Sequence, residues 1–232
     1  MKKGRGYFTI TEILLWSISS VCILLSFFIF DRENYLTLIA SLIGITSLIF
    51  NAKGNPIGQV LIIIFSVMYG IISYTFAYYG EMVTYLGMTA PMAVAALICW
   101  LKNPYHGKAS EVKVSRLVRA DAFWLTILTV AVTTAFYFIL AAWNTSNLLP
   151  STISVTTSFI AAYLTFRRSA LFPLAYALND LVLIVLWVLA AVEDIGYLSV
   201  VVCFIMFFIS DIYGFINWTK MKKRQESEQN RD

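Results

Sequence analysis

The sequence predicts an all-α, polytopic membrane helix bundle of about eight transmembrane helices. Of the 232 residues, 59% are hydrophobic and only 13% are charged, whereas a soluble domain usually carries about 25% charged residues. The apolar residues form eight stretches, each about long enough at 1.5 Å per residue to cross a ~30 Å hydrocarbon core. These stretches lack the alternation of a barrel strand, which leaves helices as the structure that a bilayer tolerates.

Charged or turn-forming residues bound each stretch. In chain order the stretches cover residues 10–30, 35–50, 57–77, 82–101, 123–143, 149–166, 171–192 and 196–218. The first follows a basic N-terminal segment in the manner of a signal peptide. No small-x-small cleavage site precedes Asp31, however, so we expect a retained transmembrane helix.

The basic residues predict that both termini are cytoplasmic, because cytoplasmic loops collect Lys and Arg. Eight crossings with the N-terminus inside place 16 of the 17 basic residues on one side of the membrane. These residues are Lys2, Lys3, Arg5, Lys53, Lys102, Lys108, Lys113, Arg116, Arg119, Arg167, Arg168, Lys220, Lys222, Lys223, Arg224 and Arg231. The outer turns keep Arg32 and otherwise carry acidic or uncharged residues, among them Glu81.

An internal echo predicts a 3+1+3 pseudo-symmetric core. Helices two to four and six to eight share a layout, with a basic inner loop, an acidic outer turn and a final helix that ends Trp-x-Lys, at Trp100 and Trp218. An even number of crossings separates the two triplets, so they have the same orientation. We therefore divide the chain into 1–34 (tail and additional helix), 35–101 (first repeat), 102–148 (basic loop and linker helix), 149–220 (second repeat) and 221–232 (charged tail).

The motifs of an enzyme are missing from the sequence. It contains no Gly-rich phosphate loop and no paired-Cys motif, and its single histidine, His106, has no metal-ligand partner at useful spacing. We therefore predict neither catalysis nor a cofactor, and no nucleic-acid partner.

Two carboxylates lie inside predicted membrane helices, where an aspartate costs about 2.5 to 3.5 kcal/mol to insert. Asp180 falls near the middle of the seventh helix, with Tyr176 on the same face and Asn179 beside it. Asp211 falls in the eighth helix, in an amphiphilic stretch that also holds Asn217. Such residues are typical of a substrate or proton site that faces a cavity, and the alternative is a hydrogen-bonded anchor between helices.

The third helix adds a polar and aromatic row. Gln59, Ser66, Gly70 and Ser73 share roughly one face, and Tyr69 and Tyr78 lie in the same helix or at its end. Small-residue helix packing is the alternative interpretation of this face. The buried polar residues favour a flat aromatic ligand, neutral or cationic, over a phosphorylated one, which would require arginine or lysine.

At these positions the chain resembles the PnuC-type nicotinamide riboside transporters, especially their Gram-positive branch. The resemblance covers nearly all of residues 35–220. It rests on Gly58-Gln59, Phe65 to Tyr74, Tyr79 to Met82, Tyr85 to Met88, Ala177 to Asp180, Leu186-Trp187 and Tyr213 to Trp218.

The resemblance implies a 3+1+3 bundle related in shape to the SWEET sugar transporters and assembled as a homotrimer in the bacterial cell membrane. It also implies uptake of a vitamin-like riboside by facilitated diffusion, with a cytosolic kinase that traps the product. Two regions depart from the family: a Trp-x-x-Trp motif is replaced by Phe172 to Tyr176, and Asp211 stands where many relatives carry Asn.

The leading hypothesis is a nicotinamide riboside transporter. Its candidate substrate-binding residues are Gln59, Tyr69, Tyr176, Asn179, Asp180, Trp187, Asp211 and Asn217. The alternatives are uptake of another vitamin, such as thiamine or riboflavin, and proton-coupled symport. A non-transporting membrane scaffold or small membrane enzyme is a further alternative of a different class.

Overall fold

A computed structural model describes residues 7–75, 79–145 and 147–230 of the chain. In that part of the chain, eight helices are long and apolar enough to span a membrane. They are α1 (Ile10–Phe30), α2 (Tyr35–Ala52), α3 (Ile57–Thr75), α4 (Tyr79–Leu101), α5 (Arg119–Ala142), α6 (Leu148–Phe166), α7 (Phe172–Glu193) and α8 (Leu198–Gln229). The predicted bundle of eight membrane helices is confirmed. Tyr78 and the basic residues Lys2, Lys3, Arg5 and Arg231 lie outside the described residues.

Helix α4 contains a π-helical segment, Tyr85–Thr89, between two α-helical parts. Pro91 follows it and has no backbone N–H for the carbonyl four residues earlier. The amide of Ala90 donates instead to the Tyr85 carbonyl, five residues back. Such a bulge widens one turn and turns the neighbouring side chains, and π-bulges are frequent at functional sites.

Glu81 lies inside α4 rather than in an outer turn, so the sequence-based placement of this residue was wrong. Helix α4 begins three residues earlier than the apolar stretch, at Tyr79, and Glu81 is buried in its first turn. Hydropathy alone places a carboxylate outside a span. Here packing against neighbouring helices shields the helix end.

The basic segment between α4 and α5 folds back on the rest of the chain. Strands β1 (Pro104–Tyr105) and β2 (Lys108–Val112) form a short antiparallel hairpin. The amide of Val112 donates to the Gly54 carbonyl at 2.9 Å, and the amide of Ser115 donates to the Arg168 carbonyl at 3.0 Å. One segment thus binds both the loop after α2 and the loop after α6.

Helix α8 extends past the predicted end of the second repeat into the charged tail. Gln225 on this extension donates to the Val112 carbonyl and accepts from the Val114 amide. Tyr105 donates a 2.5 Å hydrogen bond to Glu228. This bond raises the pKa of Tyr105 to about 12 and lowers the pKa of Glu228. Contacts with the hairpin hold the polar tail in a helix that its hydropathy does not predict.

The helices fall into two groups that contact each other. Helices α2, α3 and α4 pack together, as do α6, α7 and α8, and the two groups meet where α2 contacts α8 and where α4 contacts α6. Helix α5 contacts α6 and lies at the periphery, with only 6% of its most apolar window buried. Helix α1 packs on α2 and α8.

A buried ion pair fastens α1 to the bundle. Glu12, with 1% of its side chain exposed, lies 3.1 Å from Lys53 Nζ and accepts a hydrogen bond from Tyr213 Oη at 3.1 Å. The same carboxylate accepts from the amide of Thr9, whose hydroxyl caps the helix in return. Glu12 is therefore almost completely buried within the chain.

The turns sort into two ends of the bundle. The basic end holds the loop near Lys53, the 102–118 segment, the Arg167–Arg168 turn and the extension of α8. Hydrogen bonds of the 102–118 segment connect it to the other three. The acidic end holds the 31–34, 143–145 and 194–197 turns; here a Cβ at Gly196 would lie 3.6 Å from the Phe30 carbonyl oxygen. This segregation matches the predicted charge asymmetry.

The loops after α2 and α6 have the same local structure, 114 residues apart. Gly54 and Arg168 both adopt a left-handed backbone, with φ of 66° and 55°. The following amides, of Asn55 and Ser169, each donate at 3.0 Å to the carbonyl five residues back. Equivalent turns at equivalent positions are what the predicted repeat requires.

Candidate functional site

A small cavity lies between the two helix groups. Its volume is about 60 Å³, and α2, α3, α4, α6, α7 and α8 all contribute to its wall. Its polar lining consists of Asn51, Gln59, Tyr85, Thr89, Ser158, Tyr176, Asn179, Asp180 and Asp211, and its apolar lining includes Phe65, Phe172, Phe204 and Phe207. The described lining holds no Lys, Arg or His.

Asp180 of α7 and Asp211 of α8 form a buried carboxyl pair in this cavity. Both side chains line the cavity, and each residue is about 95% buried. Two ionised carboxylates in one buried cavity repel each other unless one of them holds a proton or a cation lies beside them. Asp180 Oδ2 has no hydrogen-bond partner among the described residues, so the pair keeps an acceptor available to a ligand.

Amide side chains surround the carboxyl pair from two directions. Gln59 Nε2 donates to Asn51 Oδ1 at 2.8 Å, which joins the start of α3 to the end of α2. Asn179 Oδ1 accepts from Thr157 Oγ1 at 2.8 Å and from Ser158 Oγ at 3.0 Å, both on α6. These bonds orient the amides, so their remaining donors are held in place before a ligand arrives.

The π segment of α4 supplies the opposite wall. Tyr85 and Thr89, at its two ends, both line the cavity. The π-helical turn of α4 therefore lies where this helix borders the cavity.

An aromatic layer closes the cavity toward the acidic end. Tyr69 lies at its centre, with its ring centroid 4.7 Å from that of Tyr85, 6.1 Å from Phe204 and 6.2 Å from Trp187. Tyr69 and Trp187 face a second cavity at the acidic end and are absent from the central lining. They separate the two spaces.

A tryptophan pair closes the cavity toward the basic end. Trp100 and Trp218 are fully buried, their rings lie 5.4 Å apart, and Phe172 contacts both. The indole of Trp100, on α4, donates to the Thr165 carbonyl of α6 at 2.9 Å. The indole of Trp218, on α8, donates to the Asn51 carbonyl of α2 at 2.7 Å. Each bond links the two helix groups.

The structure brings five of the eight candidate residues together at the central cavity. Gln59, Tyr176, Asn179, Asp180 and Asp211 line it. Tyr69 and Trp187 lie in the aromatic layer next to it. Asn217 lies at the basic end, where Nδ2 donates to the Ala52 carbonyl at 2.6 Å.

Sequence reasoning missed Asn51, Tyr85, Thr89 and Ser158. The sequence did contain a signal for Asn51, because this amide side chain, like that of Asn179, lies within an otherwise apolar helix. Thr89 and Ser158 had none, since a hydroxyl bonds to its own helix backbone at little cost. Within the described residues, no group of three or more His, Cys, Asp or Glu is placed to hold a metal ion.

The central cavity thus places carboxyl, amide and hydroxyl groups inside the membrane-spanning part of the bundle. The family model described as "Nicotinamide mononucleotide transporter" matches residues 34–220 of the chain. The chain belongs to this family. It is therefore a membrane transporter and not an enzyme.

Relatives and a solved structure agree with this membership. The chain is 26% identical over 208 residues to the nicotinamide riboside transporter PnuC of Neisseria mucosa, covering 87% of this chain and 78% of the relative. It is 23% identical over 195 residues to PnuC of Haemophilus influenzae, covering 83% and 82%. A crystal structure of the vitamin B3 transporter PnuC superposes with a TM-score of 0.81 at 25% identity, over 95% of both chains.

Proposed function

We propose that this transporter carries nicotinamide riboside across the membrane by facilitated diffusion through the central cavity. The relatives named above carry that substrate in their names. The observation that supports it most is the carboxyl pair of Asp180 and Asp211 among rings and amides. Nicotinamide riboside joins a positively charged pyridinium ring to a sugar with hydroxyls, and the cavity offers negative charge, aromatic faces and hydrogen-bonding groups.

The absence of basic residues from the described lining favours the riboside over its phosphorylated form. A phosphate would require arginine or lysine for charge-assisted hydrogen bonds. Net accumulation then needs a cytosolic kinase that phosphorylates the riboside after entry, because a passive carrier only equalises the concentrations. We propose this functional link and the orientation it requires, with the basic end in the cytoplasm.

Transport requires the cavity to widen. Its volume of about 60 Å³ holds about two water molecules at ~30 Å³ each, whereas ligand pockets usually measure ~300–1,000 Å³. We propose that the two helix groups, as parallel three-helix repeats joined by α5, move apart at one end at a time. The equivalent turns after α2 and α6 and the crossed indole bonds support this division.

We also propose that the chain assembles as a homotrimer. Helices α1 and α5 bury only 28% and 6% of their most apolar windows within one chain, so wide apolar faces remain for lipid or other copies. The mass of the detergent-solubilised protein, corrected for bound detergent, tests this proposal; a monomer mass would contradict it.

Uptake of labelled nicotinamide riboside into proteoliposomes tests the function. We expect saturable flux, and a loss of at least about tenfold in Asp180→Asn and in Gln59→Leu, because the first removes a carboxylate and the second an amide from the cavity wall. Glu193→Gln is the matched control, because this carboxylate is exposed at the acidic end. Saturable flux that is unchanged in both cavity variants would place the path elsewhere, and no flux at all would refute the function.

The same assay separates the vitamin alternatives. An excess of unlabelled thiamine or riboflavin should leave riboside uptake unchanged, and competition stronger than that of unlabelled riboside would reassign the substrate.

Proton symport is a second candidate, and the burial of Asp180 and Asp211 in one cavity supports it. In a symport cycle, one carboxyl of the pair would load a proton together with the riboside, while the other carboxylate faces the cation, and both would be released on the cytosolic side. Uptake that rises with an imposed pH gradient and falls with an uncoupler would support coupling. Uptake indifferent to both leaves facilitated diffusion.

A further inference from the structure

A second cavity, the acidic-end vestibule, lies beyond the aromatic layer. Its volume is about 440 Å³, within the range of ~300–1,000 Å³ that is usual for small-ligand sites. The 31–34 and 194–197 turns form its walls, and Tyr69 and Trp187 form its floor. The vestibule is thus large enough for a small ligand, and Tyr69 separates it from the central cavity.

The walls of the vestibule carry excess negative charge. Asp31, Glu33 and Asp194 line it together with one cation, Arg32. Arg32 directs its Nε to the Phe28 carbonyl at 2.6 Å. Among the described residues no ion pair within 4.0 Å engages any of these three carboxylates. Their negative charge therefore remains available to a solute.

The carboxylates are oriented by local bonds that leave their charge intact. Asn34 Nδ2 donates to Asp31 Oδ1 at 2.5 Å, and the Gly196 amide donates to Asp194 Oδ1 at 2.9 Å. Glu33 is exposed and has no side-chain hydrogen bond among the described residues.

The floor of the vestibule is aromatic and holds an unpartnered polar group. The rings of Trp187 and Tyr197 lie 5.5 Å apart, and both line the vestibule. Tyr69 is 99% buried, and its hydroxyl has no hydrogen-bond partner in the described residues. A buried hydroxyl without a partner is unfavourable, and a ligand in the vestibule would supply the partner.

We propose that the vestibule is a separate binding station for a cationic aromatic solute, occupied before the solute passes Tyr69 into the central cavity. This inference rests on the proposed function, because a pyridinium riboside is such a solute. Aromatic faces and carboxylates attract a flat cation together. Within a walled cleft, their combined field raises the local concentration of the cation and its rate of entry.

Uptake kinetics of charge variants test the station. In cells that carry this transporter and have no riboside uptake of their own, we expect Glu33→Gln and Asp194→Asn each to raise the KM for external riboside by about 2- to 5-fold at low salt. Arg32→Gln should lower the KM, which is a change of opposite sign. The maximal rate should stay within about twofold of the wild type, because the central cavity is intact.

Three controls test whether charge in the vestibule causes these effects. Glu193→Gln removes an exposed carboxylate next to Asp194 that does not line the vestibule, and it should change the KM less than Asp194→Asn does. The reduced dihydropyridine form of the riboside is uncharged, so its uptake should be insensitive to all four substitutions. Raising the salt to about 0.5 M should reduce the differences, because the screening length falls well below 10 Å.

Two results would refute the binding station even if riboside uptake is normal. One is an equal change of KM in Glu193→Gln and Asp194→Asn, and the other is a KM that none of the charge substitutions changes. Calorimetric titration of the purified protein with N1-methylnicotinamide, a pyridinium cation without the sugar, separates this outcome from failure of the proposed function. Binding that Glu33→Gln weakens and Glu193→Gln preserves would support the station even if riboside flux is absent. No binding and no flux would refute both.

Discussion

Gly58 is the position where an added methyl group should do the most damage to the central site. A Cβ at Gly58 would lie 2.7 Å from the backbone nitrogen of Asn51 and even closer to Asn51 Oδ1. Real Cβ atoms do not approach within 3.0 Å, and a backbone atom cannot yield as a flexible side chain does. In Gly58→Ala, α2 and α3 must therefore move apart at the cavity.

The expected cost has two parts. Overpacking of a tight contact costs about 1–3 kcal/mol, and loss of the bond between Gln59 and the displaced Asn51 adds about 1 kcal/mol. For a chain of this size, 1 kcal/mol corresponds to about 2–4 °C in Tm. We therefore expect Gly58→Ala to lower the Tm in detergent by about 5–15 °C and to weaken riboside uptake.

Gly87→Ala is the matched control. It is also a glycine of a membrane helix, but the nearest atom to its added Cβ is 3.7 Å away, at ordinary contact distance. Thermal unfolding followed by the fluorescence of a thiol-reactive dye would compare the two variants. A Gly58→Ala protein that melts within about 1 °C of Gly87→Ala would refute the close approach of α2 and α3.

Two further substitutions test the contacts at the basic end. Trp218→Phe keeps an aromatic ring but removes the indole donor to the Asn51 carbonyl, which retains its bond from the Gly54 amide, so we expect a loss of about 0.5–1.5 kcal/mol of stability, measured as a lower Tm; an unchanged Tm would contradict this bond. Lys53→Met removes the cation beside Glu12 and should cost up to ~3 kcal/mol, since an unpaired buried carboxylate remains. Adding Glu12→Gln to Lys53→Met should recover most of that loss, and failure to recover it would show that the ion pair does not fasten α1.

Sequence alone predicts the helices well because membrane insertion depends on local composition. The boundaries of α1 and the start of α2 agree with the apolar stretches, since charged residues and turns mark them. Helix α8 extends to Gln229 because Gln225 and Glu228 bond to the 104–114 segment. That segment is more than 100 residues away in sequence, so no local sequence pattern predicts the contact.

The candidate site is only partly predictable for the same reason. Asp180 and Asp211 are identifiable from sequence because a carboxylate in a membrane helix needs a partner or a cavity. Their contact with each other depends on how α7 packs against α8. The π segment at Tyr85–Thr89 follows from Pro91 in hindsight, but a proline can also kink a helix or end it. The outcome here depends on the neighbouring helices.

The two closures of the cavity differ in chemistry, which has a consequence for the order of opening. The acidic end is closed by rings around Tyr69, whose hydroxyl is unpartnered, so a polar ligand in the vestibule can stabilise an arrangement in which this layer has moved. The basic end is closed by two indole hydrogen bonds across the helix groups, and breaking either one loses about 0.5–1.5 kcal/mol of stabilisation. On the proposed function, we therefore expect a riboside from the acidic end to meet the more easily opened closure first, and the separation of Trp100 from Trp218 to require the energy of binding at the carboxyl pair.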